Sequence, residues 1–145
     1  MALKWQPKNI LWGGAAEKDE LGSSQAWFDK YSVSHFGNGF VFTQIMQYFI
    51  KNKYLALFVI LLLHIVEDYL ENTAVSLEGI LGGIVKRNDL FERRDTDSLQ
   101  NFIGDNIAFF CGGLIAIHTP LLDWRILLVA LVFTLVVLPF LLAKC

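Results

Sequence analysis

The sequence predicts an all-α protein, a polytopic membrane helix bundle of about four transmembrane helices. Composition is the first observation behind this. Of 145 residues, 54% are hydrophobic and only 18% charged, with a mean hydropathy of +0.47, against about a quarter charged in an ordinary soluble domain. The second is the order of the chain, in which four long apolar segments are separated by polar ones. The third is where the polar residues fall inside those segments. In three of the four they gather at one end, and carboxylates at membrane depth are costly enough to suggest a purpose.

Residues 1–32 read as a polar N-terminal arm, loosened by Gly13, Gly14, Gly22, Ser23 and Ser24. Trp27, Phe28 and Tyr31 stand just before the first apolar run, where an interfacial aromatic belt belongs. With about 30 polar residues ahead of that run, the start does not read as a secretory signal peptide. The transmembrane domain is expected over 33–145. Its helices are placed at about 33–50, 54–72, 98–118 and 124–143, each near the roughly 20 residues that a bilayer requires. Lys51, Asn52 and Lys53 form the first turn, a polar loop covers 73–97, and Pro120 stops the third helix. Within the loop, 80–85 is apolar but too short to cross, and 87–97 is a solvated run of mixed charge. The fourth helix has no ionisable residue between Arg125 and Lys144 and is expected at the periphery.

Lys and Arg counts set the orientation. A four-helix path puts nine of the twelve (Lys4, Lys8, Lys18, Lys30, Lys86, Arg87, Arg93, Arg94 and Lys144) on the face shared by both termini. Lys51, Lys53 and Arg125 occupy the other face. Both termini are therefore expected on the inner, cytoplasmic side.

The same path brings the polar ends together at the inner leaflet. His35 and Asn38 open the first helix, and His64, Glu67, Asp68, Glu71 and Asn72 close the second. Asp97, Asn101 and Asp105 open the third. At about 100° per residue, His64, Asp68 and Glu71 share one face, and Asp97, Asn101 and Asp105 form a slowly drifting stripe. The candidate polar pocket is His35, Asp68, Glu71, Asn72, Asp97, Asn101 and Asp105. Of these, His35, Asp68, Glu71 and Asp105 are candidate ligands for a divalent cation, since carboxylates suit hard cations and a histidine shifts the preference toward Mn²⁺, Zn²⁺ or Fe. Such a pocket can bind or act on a lipid headgroup or a phosphate-bearing ligand. It can also relay protons as a small transporter, or simply fix helix packing in a non-enzymatic scaffold subunit. The four short helices contain no inverted repeats, which argues against alternating access.

Gly104, Ala108 and Gly112 recur every fourth residue, a spacing that lets another helix backbone come close. Gln44 and Gln47 read as interhelical hydrogen bonders, Cys111 as a small core residue, and His118 as an interfacial residue without a role. Two cysteines give neither a disulfide framework nor a zinc spacing. A net charge of −2 points away from nucleic acid. The expected partners are the lipid bilayer, a lipid headgroup, and further copies or a larger membrane complex.

Three motifs resemble a family of small bacterial inner-membrane proteins of unassigned activity, itself distantly similar to the VanZ group associated with glycopeptide resistance. The first is carried by Asp29, Tyr31, Ser34, His35 and Gly39, and the second by Asp68, Glu71, Asn72 and Thr73. The third is carried by Asp97, Ser98, Asn101 and Asp105. His64, Glu67 and Asn38 stand where the family more often has an acidic residue, an aromatic and a second histidine. The resemblance spans about residues 28–115 and implies a membrane fold of four or more helices. It implies no activity.

Overall fold

The computed structural model describes residues 10–12, 26–72, 98–138 and 141–142. Four helices dominate: α1 (Ser32–Phe49), α2 (Lys53–Asn72), α3 (Leu99–His118) and α4 (Trp124–Val132), the last running on into a π-helical stretch at Phe133–Val137. The first three lie within a residue of their expected bounds. The expected fourth helix instead changes winding after Val132. The polar loop 73–97, with the short apolar stretch and the charge run inside it, lies outside the described residues.

The arm is more ordered at two points than its composition implied. Ile10–Trp12 and Ala26–Phe28, β1 and β2, pair in parallel, with Ile10 opposite Ala26 and Trp12 opposite Phe28. Trp27 and Phe28, expected in an interfacial belt, therefore sit in a strand. The strand lies against α3, where a Cβ added at Gly104 would run into the Trp27 carbonyl.

Local chemistry sets the helix starts. Asp29 Oδ1 accepts from the backbone N–H of Tyr31 at 2.7 Å and of Ser32 at 3.2 Å, holding the first turn of α1. Asn52 accepts from Tyr54 and Leu55 at the start of α2, Ser98 from Asn101 at α3, and Asp123 from Arg125 at α4. Each satisfies a donor that a helix N-terminus leaves over. The connection at 50–52 is short, so α1 and α2 run antiparallel.

Glycine decides how closely the helices pack. A Cβ at Gly39 of α1 would strike the Phe109 carbonyl of α3, and one at Gly112 of α3 would strike the Phe36 carbonyl of α1. Gly113 faces Leu57 of α2 and Thr43 of α1. The close face of α3 thus takes Gly104 and Gly112 from the every-fourth-residue stripe and adds Gly113. Gly104 meets a strand rather than a helix, and Ala108 is only half-buried. Cys111 lies to the side of this face and is exposed, contrary to the core position expected for it.

Beside apolar residues such as Val41, Leu57, Phe109 and Leu127, the interior holds many polar ones. Buried inside are Ser32, Ser34, Thr43, Gln44, His64, Asp68, Gln100, Asn101, Asp105 and Thr134. On the outside are large apolar side chains such as Phe49, Phe58, Leu62, Val129 and Val136. Among the described residues no helix is long and apolar enough to cross a membrane. Lys53, Glu67 and Asp68 interrupt α2, and α1 interleaves Asn38, Thr43, Gln44 and Gln47 with its apolar residues.

Candidate functional site

The polar cluster assembles where three helix segments meet: the N-terminal halves of α1 and α3 and the C-terminal half of α2. Asp105 is its hub. Its carboxylate accepts from the Ser32 hydroxyl, and its other oxygen lies 3.7 Å from His35 Nε2. The Ser32 hydroxyl in turn accepts from the backbone N–H of Asp29 at 3.0 Å. The chain Asp29–Ser32–Asp105–His35 therefore ties the α1 cap to the interior.

A second pair lies across α2 and α3. Asn106 donates its side-chain amide to Asp68 Oδ2 at 2.8 Å and to the Phe102 carbonyl at 2.8 Å. Asn101 is fully buried, and its Nδ2 has no hydrogen-bond partner among the described residues.

Of the seven pocket candidates, His35, Asp68, Asn101 and Asp105 are described and lie at one end of the bundle. Asp97 and the side chains of Glu71 and Asn72 lie outside the described part. Among the described residues no three His, Cys, Asp or Glu side chains converge as metal ligands. His35 and Asp105 do approach each other, but Asp105 is held by Ser32, and Asp68 is bonded to Asn106.

Beside this cluster lies a cavity of about 350 Å³, lined by His35, Asn38 and Phe42 of α1, Ile60, Leu63, His64 and Glu67 of α2, Phe109 of α3 and Leu135 of the π stretch. His64 is its most constrained polar group. Its ring stacks on Phe109 at a centroid distance of 3.9 Å, and His35 lies 5.1 Å away, centroid to centroid. His64 Nδ1 is 3.1 Å from Glu67 Oε2, while its Nε2 is buried with no partner among the described residues. Asn38 Oδ1 is in the same condition.

The π stretch closes this side. Thr134 lies against Gly37, and its carbonyl accepts from the Ser34 hydroxyl at 3.2 Å, which leaves Leu135 facing the cavity. π turns often sit at functional sites. Nothing in the apolar run around 133–137 signals the change of winding in advance.

The opposite end of the bundle is stitched by Gln44. Its amide donates to the Ala116 carbonyl and to Thr119 Oγ1, both at 2.9 Å, and its oxygen accepts from Leu122 N at 3.0 Å. That is the interhelical role its position suggests. Gln47 instead bonds the Thr43 carbonyl of its own helix. His118 is exposed.

The sequence names His35, Asp68 and Asp105 for the pocket; His64, Glu67 and Asn38 belong to the same polar ends but stand outside the candidate pocket, and Asn106 goes unnamed. A signal was present for His64, which stands four before Asp68 on the same helical face. Asn106 had only its amide in an apolar run to mark it. No protein family, curated protein or solved structure matches this chain.

Proposed function

We propose that this chain is an integral membrane protein whose polar interior binds the head of an amphiphilic lipid-like ligand. One observation carries the reading: many polar side chains are buried inside while most of the large apolar ones lie on the outside. In water that arrangement loses apolar burial without gain. In a bilayer it is the favourable one, because polar groups in hydrocarbon have to find partners within the bundle. It also accounts for the polar residues that interrupt α1, α2 and α3. Of these, Asn38, Thr43, Gln44, Asp68 and Asp105 do not face outward.

The resemblance of the three motifs to the small inner-membrane family points the same way. Of the motifs' described residues, His35, Asp68, Asn101 and Asp105 lie at the cavity end of the bundle. The reading is built without a cation, since among the candidate ligands Asp105 is engaged by Ser32 and Asp68 by Asn106. Both termini on the cytoplasmic side follow from the Lys and Arg counts.

A second reading, a scaffold subunit with a purely structural cluster, is favoured by the way Asp105 and Asp68 are bonded by Ser32 and Asn106. One experiment separates the two. The chain is expressed, its membranes are washed with alkaline carbonate, and the purified protein is analysed by native mass spectrometry. Retention in the washed membrane with a co-purifying amphiphile supports binding. Retention with none supports the scaffold, and release into the wash overturns both.

A further inference from the structure

Resting on the membrane reading, we propose that the cavity beside His64 takes a single-chain amphiphile whose head donates a hydrogen bond, such as a long-chain alcohol or amine, and not an anionic head. Three features of the site lead there.

The first is the dyad of His64 and Glu67. An ionised carboxylate only accepts, so a neutral His64 whose Nδ1 faces Glu67 Oε2 at 3.1 Å carries its proton on Nδ1. Stacking on Phe109 holds the ring in that orientation. Nε2 is left as a lone pair, in a residue only 7% exposed, with no partner among the described residues. A buried polar atom without a partner is costly, and a ligand that supplies one regains the difference.

The second is Asn38. Its Oδ1 is also buried, also lacks a partner among the described residues, and also accepts. Both residues line the cavity, and two such buried acceptors call for a donor. An alcohol offers one O–H, and an amine offers several N–H.

The third is the wall. Phe42, Ile60, Leu63, Phe109 and Leu135 are apolar, and Leu63 and Leu135 are exposed, so the cavity is greasy out to the outer face of the bundle. Its volume lies in the small-ligand range. The one carboxylate in the wall is Glu67, and no Lys or Arg lines it. An anionic head would meet the Glu67 carboxylate with no Lys or Arg to offset it.

The test uses the full chain, ¹⁵N-labelled at histidine, in phosphatidylcholine nanodiscs, whose headgroup has no N–H or O–H donor. The probes are dodecanol, dodecylamine, dodecyl phosphate and dodecane. The readout is the ¹⁵Nε2 resonance of His64, assigned by its loss in His64→Gln. The proposal expects a pyridine-type Nε2 signal that moves with dodecanol and dodecylamine and stays put with the other two. Glu67 is 67% exposed at its side chain, so Glu67→Ala should keep the fold while weakening the response about tenfold, one hydrogen bond's worth. Asn38→Leu should do the same.

An equal response to all four probes overturns donor selectivity, as does a response to dodecyl phosphate alone. No response from a chain that has entered the nanodisc also overturns it, and the membrane reading then stands. A chain that does not enter nanodiscs overturns both.

Discussion

The Ser32 hydroxyl donates to the Asp105 carboxylate across 73 positions of sequence. This one bond joins the first turn of α1 to the interior face of α3 and sets where His35 sits, one turn further along. Asp29 holds the same turn from the other side. Cap, anchor and histidine are one structure, not three features that happen to be neighbours.

Replacing the anchor tests it. Asp105→Asn keeps the shape and leaves an oxygen for Ser32 to donate to. Asp105→Ala leaves the buried Ser32 hydroxyl without its acceptor, at a cost of about 1–3 kcal/mol. The thermal midpoint in detergent should therefore fall clearly for Asp105→Ala and much less for Asp105→Asn. Equal losses would mean that Ser32 is not the partner that matters.

How much of this could be read from the chain follows from the kind of signal involved. The three long helices are legible because 18 to 20 residues of helical pattern with polar ends leave few alternatives. The meeting of His35 with Asp105 is legible because alternating helices return their ends to one side. The strand pair is not, because Ile10–Trp12 and Ala26–Phe28 are only three residues each, joined across a polar span. Exposure of Cys111 is hidden for another reason. Period alone cannot tell which side of an apolar helix faces inward, and the choice is made by Gly112 and Gly113 against α1 and α2. Nor can the pairing of Asn106 with Asp68 be read in advance, since it needs the rotation of two helices about their axes.

Close packing makes a second prediction. Gly39→Val places a branched side chain where the Phe109 carbonyl lies, and Gly112→Leu places one against the Phe36 carbonyl. Neither obstacle is a flexible side-chain tip, so each variant should lose at least about 1–3 kcal/mol. Thermal unfolding in detergent, followed by circular dichroism, checks both. An unchanged midpoint for either would place the α1–α3 contact elsewhere.

Gln44 makes a third. Gln44→Leu removes the acceptor of Leu122 N and the donor to Thr119 and Ala116 in a fully buried position. The cost should be about 1–3 kcal/mol through the groups left over. Amide exchange should quicken at Leu122 and stay unchanged at Asp105, at the other end of the bundle. Loss of protection at both ends alike would show that the two clusters are not independent.

Topology gives a fourth. With nine Lys and Arg against three, Cys145 should react with an impermeant maleimide only after the cells are opened, in a chain carrying Cys111→Ala. Labelling of sealed cells from outside would reverse the orientation.

The most direct test of the central claim, that the outer face meets lipid, uses Cys111. It is exposed on α3 beside Phe110, with Ile107 and Ile115 a turn to either side. In a Cys145→Ser chain it is the single cysteine, and it can carry a nitroxide in reconstituted liposomes. Relaxation by dissolved oxygen and by a water-soluble nickel chelate then reports which phase it touches. The account predicts strong relaxation by oxygen and little by the chelate. Stronger relaxation by the chelate than by oxygen would place this face in water and contradict the account.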